Sequence, residues 1–256
     1  KSMNGNTCAQ VYSNGSFTKV FPMPDKTGAR VGQTLTDFAD DVGIPDTLVM
    51  DLAPEQAGKH TDMQKEVRRL RVPIRFTEKG RSEQNHTAEG EIGQLKRRWK
   101  HRMTTRNVPR CLWDYGLVHE AEVLSILARG KDQVPGLEKV LGQTIDISEY
   151  LDFGIWDLVW YWDQSKTSDM SDEQKKLGRW LGIAHRVGSE MTYWILTEHC
   201  KVIARSTVQH VLFADLQQET VKAKAARFEQ LIDENLQGRE TIVNVPNVFY
   251  LDDEAA

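Results

Sequence analysis

The chain has 256 residues, 39 % apolar and 27 % charged, with a net charge of −4. That length allows one large domain or two small ones with a real core, and the composition is that of an ordinary globular protein. No run approaches the roughly 18 apolar residues of a membrane span, and no signal-peptide pattern opens the sequence. Cys8, Cys111 and Cys200 lie far apart without a C-x-x-C. This argues against a disulfide framework or a cysteine zinc site and for a reducing, intracellular setting.

In chain order, Cys8 to Ser13 and Ser16 to Phe21 flank Asn14-Gly15, the signature of a β-hairpin with a type I′ turn. Thr27 to Val42 reads as a helix with Val31, Leu35, Phe38 and Ala39 on one side. Asp46 to Asp51 reads as a buried strand, Thr61 to Leu70 as a short helix, Pro73 to Thr77 as a strand and Glu78 to Asn85 as a polar loop. A long helix is predicted from Thr87 to Thr105, and another from Leu112 to Ala128. This order indicates an α/β layer fold over residues 1–130.

Residues 131–152 read as an irregular connector containing Pro135, Gly136 and Gly142. From 153 to 213 five strand-like segments follow: Trp156–Trp162, Gly178–Ala184, Met191–Thr197, Lys201–Ala204 and Thr207–Val211. They predict a small β-rich domain, barrel or sheet, with residues 165–176 as a mobile loop. Trp156, Trp160, Trp162, Trp180 and Trp194 suit the packing of its core more than base stacking. Residues 214–256 read as a charged helix with Phe228, Leu231 and Ile232 as an apolar stripe, then an acidic tail.

The chemistry is suggested by two carboxylates. Asp51 ends a strand-like run, and Glu89, 37 intervening residues later, opens the long helix. Hard oxygen donors of this kind suit Mg²⁺. On a wheel of about 100° per residue, Ala88, Ile92, Leu95, Trp99 and Met103 face the core. Glu89 sits at the margin of that stripe, with Lys96 and Lys100 within about a quarter-turn of its direction. Between Lys96 and Arg110 there are seven Lys/Arg and no Asp or Glu, so a locally cationic face exists despite the net negative charge. Lys96, Arg97, Lys100, Arg102 and Arg106 are the candidate nucleic-acid contacts. The seven histidines show no metal-ligand spacing, and no Walker A loop, dinucleotide fingerprint or G-x-S-x-G elbow occurs.

These residues carry a resemblance. Asp51, Gly58-Lys59-His60-Thr61 and Ser82-Glu83-Gln84-Asn85-His86-Thr87-Ala88-Glu89 resemble the core of a copia-type retrotransposon integrase. Residues 136–148, Gly178 to Ile183 and Lys201 to Val208 resemble the β-rich region that follows such cores in Pol polyproteins, so the likeness covers nearly the whole chain. Glu83 stands where the family usually has Pro, His86 where Gly is common, and the zinc-binding His/Cys domain that often precedes such cores is absent.

The resemblance implies a ribonuclease H-like α/β core with a mixed sheet and flanking helices, a small β-rich domain and a C-terminal helix. It implies Mg²⁺- or Mn²⁺-dependent DNA strand transfer, with Asp51 and Glu89 as catalytic metal ligands and two ions in the intact parent. DNA, both element ends and target, and a homo-oligomer are the implied partners, and the nucleus the implied place of action. The family's first catalytic Asp belongs on a strand before the hairpin, where only Lys1 to Thr7 stand here, with no acid among them. Asp25, Asp37, Asp40 and Asp41 read as solvated charges instead. The chain thus reads as an N-terminally truncated piece, inactive in strand transfer as it stands. A non-catalytic DNA-binding remnant and a ribonuclease H-type nuclease are the other readings.

Overall fold

The computed structural model describes residues 1–50, 61–77, 86–129, 132–163, 175–188 and 191–240, with side chains as far as 236. Asp51, residues 58–60 of the Gly-Lys-His-Thr motif, the polar loop 78–85, residues 165–174 of the expected mobile loop and the acidic tail lie outside these. The described residues divide into two units: Lys1–His101 with Glu120–Ile145, and Arg102–His119 with the described residues from Asp146 onward.

In the first unit, strands β1 (Cys8–Ser13) and β2 (Thr18–Met23) form the expected hairpin, in register from Cys8↔Met23 to Ser13↔Thr18. Its turn is displaced by one residue from the Asn14-Gly15 expectation. Asn14 N–H donates to Phe17 O at 3.2 Å, and Asn14 Oδ1 accepts from Phe17 N–H at 2.8 Å and Ser16 N–H at 3.0 Å. The side-chain amide has taken the acceptor role of a turn carbonyl, which places Gly15-Ser16 at the tip. Gly15 holds φ +91°, and a Cβ there would meet Thr87 Cγ2 at 2.9 Å.

Helix α1 (Gly28–Asp41) buries Val31, Leu35 and Phe38, as its periodicity predicts, with Ala39 half-buried. Helix α2 (Asp62–Leu70) starts where the Thr61 side chain accepts from Gln64 N–H at 3.3 Å, and Arg71 ends it at φ 56°. Strands β3 (Leu48–Met50) and β4 (Ile74–Phe76) pair in parallel. The expectation that β3 is buried fails for its outer face. Val49 is 48 % exposed and only Met50 is buried, because among the described residues this sheet has two strands. Cys8, Tyr12, Phe17, Leu35, Phe38, Met50, Met63 and Val67 share one core, so the hairpin, α1, α2 and β3 fold as one body.

Helix α3 (His86–Arg106) and helix α4 (Trp113–Ile126) match the two long helices expected, with a 3₁₀ turn at Arg110–Leu112 before α4. The stretch expected to be irregular instead contains two short helices, α5 (Gly136–Leu141) and α6 (Ser148–Leu151). A Cβ on Gly136 would lie 2.1 Å from Ser16 O, so α5 begins where only glycine fits against the hairpin tip.

All five strands expected in the second unit are present. They are β5 (Leu158–Trp162), β6 (Lys175–Ile183), β7 (Tyr193–Leu196), β8 (Val202–Arg205) and β9 (Val208–His210), in the order β8-β7-β6-β5-β9, all antiparallel. β9 follows β8 directly in sequence yet pairs at the far edge. Arg205 Nε donates to Trp162 O at 3.2 Å and Trp162 N–H to Thr207 O at 3.2 Å, so the β8–β9 link itself bridges back to β5. The described strands thus form one five-stranded antiparallel sheet with β8 and β9 at its edges. Trp156, Trp160 and Trp180 are buried in its core, Trp194 is half-buried and Trp162 is exposed. After the short helix α7 (Phe213–Leu216), the charged helix α8 (Glu219–Glu240) buries Phe228, Ile232 and Leu236 and is tied by Glu229 to Arg179 at 2.7 Å.

Candidate metal and nucleic-acid site

Glu89 lies in the first turn of α3 and is half-buried. It has no ion-pair partner among the described residues. A negative charge there meets the exposed amide groups of the helix N-terminus, which favour an anion. Two residues on, Glu91 is in a different state. Its carboxylate accepts from Arg129 Nη1 at 3.2 and 2.9 Å and from Thr18 Oγ1 at 3.4 Å. Arg129 Nη1 also donates to Gln94 Oε1 at 2.8 Å, and its Nη2 to Ser16 O at 2.9 Å. Both partners of this pair are largely enclosed, so Glu91 is committed to structure and Glu89 is the carboxylate left available on this turn. Asp51 lies outside the described residues, and the expected convergence of Asp51 with Glu89 is therefore carried as part of the proposal below.

The basic run is sorted by its partners. Leu95 and Trp99 point into the core, with Ala88, Ile92 and Met103 half-buried, as the wheel predicts. Lys96 is half-buried; Arg97 and Lys100 are exposed. Arg98 instead turns inward, its Nε donating at 3.2 Å to the fully enclosed carboxylate of Glu120. In the second unit Arg102 is half-buried, and Arg106 forms an ion pair with Asp157 through Nη1. Asp157 is held in turn by Gly154 N–H at 2.7 Å. Lys96, Arg97 and Lys100 lie on the part of α3 that belongs to the first unit, and Arg106 is paired with Asp157 in the second.

The acids near the hairpin and on α1 are used locally. Asp25 accepts from the Thr27 hydroxyl at 2.7 Å and its amide at 3.0 Å, and these bonds hold its carboxyl below the ordinary range. Asp37 accepts from Gln33 at 3.0 Å, and Asp41 pairs with Lys19 at 3.2 Å. Among the described residues, no three of His, Cys, Asp and Glu converge to hold a metal ion. The three cysteines are buried and form no disulfide, and no described helix is long and apolar enough to cross a membrane.

The sequence reading missed Glu91, Arg129 and Glu120. Their contacts join residues 22 to 113 positions apart, and nothing local in the sequence announces such pairs.

No family model matches this chain, and no curated protein matches it. Solved structures do. The catalytic core domain of BIV integrase is similar at 14 % identity over 52 % of this chain and 84 % of that one, with a TM-score of 0.43. The simian T-cell lymphotropic virus intasome in complex with PP2A regulatory subunit B56 gamma is similar at 12 % identity, over 80 % of this chain and 71 % of that one, with a TM-score of 0.45. The HTLV-2 integrase catalytic core domain in complex with magnesium is similar at 11 % identity, over 52 % and 90 %, with a TM-score of 0.40.

Proposed function

We propose that this chain is part of a copia-type retroelement integrase with a ribonuclease H-like core. In this reading Asp51 and Glu89 hold Mg²⁺ or Mn²⁺, and Lys96, Arg97, Lys100 and Arg102 grip DNA phosphates. The observation that carries the reading is the contrast at the start of α3. Glu89 is half-buried and has no ion-pair partner among the described residues, on a helix whose next turns are basic, while Glu91 beside it is neutralised by Arg129. The element order of hairpin, helix, parallel strand, helix, strand and long helix agrees with it.

Carboxylate oxygens are the donors Mg²⁺ and Mn²⁺ prefer, and an ion held by them activates an attacking oxygen and stabilises a leaving one. The protein's own share is positional. Glu89 is fixed by a helix whose Leu95 and Trp99 anchor it in the core. The cations beyond it hold a phosphate backbone without reading sequence. Arg106 contributes only if DNA displaces Asp157 from it. The natural partners in this reading are element ends and target DNA, met by a homo-oligomer in the nucleus.

A second reading, a DNA-binding remnant without chemistry, is favoured by the local commitments of Asp25, Asp37 and Asp41, which leave none of them to serve as a third ligand. Two carboxylates supply little charge for a metal pair about 3.5–4 Å apart. The test is Mg²⁺- or Mn²⁺-dependent joining of a labelled donor end to plasmid. It is run with this chain and with one extended upstream in its natural reading frame. Joining by the extended chain that is lost in Glu89→Gln supports the integrase reading. DNA retention with no joining by either chain supports the remnant.

A further inference from the structure

Three donors converge on one side-chain carbonyl at the hairpin tip. Asn14 Oδ1 accepts from Phe17 N–H at 2.8 Å, from Ser16 N–H at 3.0 Å and from the Ser16 hydroxyl at 3.1 Å. An amide oxygen has two lone pairs, so the third donor exceeds what a neutral carbonyl needs. Fixed donors at these distances are what an oxyanion hole presents to a developing negative charge. The next residue supplies a nucleophile. Gly15 has no Cβ to shield its backbone nitrogen, and it holds φ +91°. Its N–H donates to Ser13 Oγ at 3.2 Å, so that proton already rests against a hydroxyl. Asn14 is exposed, and water reaches it.

We propose that Asn14 is a self-modification site, which the folded hairpin converts to aspartate through a cyclic imide. The Gly15 backbone nitrogen attacks Asn14 Cγ and forms a new N–Cγ bond. Oδ1 takes up the negative charge of the tetrahedral intermediate, where the three donors hold it. The Cγ–Nδ2 bond then breaks, and Nδ2 leaves as ammonia with the proton that Gly15 gave up. Water opens the imide, either at Cγ to give aspartate or at the main-chain carbonyl to give isoaspartate. Nothing is oxidised or reduced, and water is the only co-reactant. The same donors polarise the Cγ carbonyl of the imide, so they direct water to Cγ and favour aspartate. The carboxylate formed keeps all three donors, now as stronger charge-assisted bonds, and the turn persists. Isoaspartate would instead add a methylene to the backbone inside the turn closed by Asn14 N–H and Phe17 O at 3.2 Å. The outcome is a permanent negative charge two residues before the Ser16 carbonyl that Arg129 holds. The inference stands on the hairpin tip alone and is independent of the metal site.

The test is incubation of the full folded chain in mildly alkaline heavy-oxygen water, with peptide mapping by mass spectrometry over time. Residue 14 should lose its amide nitrogen and gain solvent oxygen, faster in the folded chain than in the same chain unfolded in urea. Ser16→Ala removes the hydroxyl donor and leaves the backbone donors in place. It should slow the conversion by roughly ten-fold, the worth of one hydrogen bond. Methylation by an isoaspartyl methyltransferase should label only a minor share of the product. If Ser16→Ala does not fold, the comparison of folded and unfolded natural chain decides. An Asn14 that stays intact, or that reacts no faster folded than unfolded, overturns the proposal. So does an unchanged rate in folded Ser16→Ala, or isoaspartate as the main product.

Discussion

Arg129 Nη1 lies 3.2 and 2.9 Å from the two carboxylate oxygens of Glu91, and its other terminal nitrogen reaches the carbonyl of Ser16 at the hairpin tip. One guanidinium therefore ties the end of the β1–β2 turn to the second turn of α3, and Glu89 sits on the helix so fixed. The same pair distinguishes two acids two positions apart: Glu91 is engaged by Arg129, and Glu89 has no ion-pair partner among the described residues.

Arg129→Met should destabilise the first unit by about 3 kcal/mol, because it strips the cation from a largely enclosed carboxylate. Equilibrium unfolding in urea, followed by Trp fluorescence, measures it. Adding Glu91→Gln to that variant should recover part of the loss, since the stranded charge is then gone. A loss within about 0.5 kcal/mol, the size of an ordinary surface change, would mean that the pair holds nothing together.

Tyr12 gives a pH dependence. Burial raises its phenol from 10.0 to about 12, with Thr34 as its hydrogen-bond partner at 2.9 Å. The Thr34 hydroxyl donates to Val31 O at 2.8 Å, so Tyr12 is the donor in the pair. The folded chain holds this proton more tightly than the unfolded one. The stabilisation is complete below pH 10 and is lost as pH rises toward 12. Tyr161 and Tyr193 shift the same way through burial in the second unit. Unfolding midpoints measured across this range should fall with pH, and Tyr12→Phe should flatten the fall in the first unit. A midpoint independent of pH would contradict the burial of these phenols.

Much of this was legible in the sequence where the signal is local. The β1–β2 alternation, the α1 stripe of Val31, Leu35 and Phe38, and the five strands of the second unit all appear where hydrophobic spacing placed them. The turn at Gly15-Ser16 was misplaced by one residue because the Asn14 side chain substitutes for a backbone acceptor, a choice that residue type permits but does not dictate. The exposure of Val49 depends on how many strands its sheet has, which a three-residue strand does not record. Glu91 reads like Glu89 in sequence. Contacts distant in sequence, from Arg129, 38 residues away, and from Thr18, distinguish them.

In the proposed reading, DNA binding depends on the cations of α3. Changing Lys96, Arg97 and Lys100 together to Glu should abolish retention on a DNA column at moderate salt. Changing each to Ala should lower the slope of log affinity against log salt by about 0.7–0.9 for every phosphate that is no longer neutralised. Arg106→Ala should act differently, because it also removes the ion pair with Asp157. Its effect should appear as lower stability of the second unit as well as weaker binding. Retention unchanged in the triple Glu variant would move the DNA surface off α3.

The proposed centre requires Asp51 and Glu89 to hold a divalent ion together, with no part taken by Glu91. The decisive experiment is titration of Mn²⁺ into the natural chain, followed by electron paramagnetic resonance of the free ion, with Asp51→Asn, Glu89→Gln and Glu91→Gln as companions. The expected result is a site that is lost in Asp51→Asn and in Glu89→Gln and kept in Glu91→Gln, where the change lowers stability alone. Mn²⁺ binding that persists unchanged in folded Glu89→Gln, or that disappears only in Glu91→Gln, would overturn the assignment.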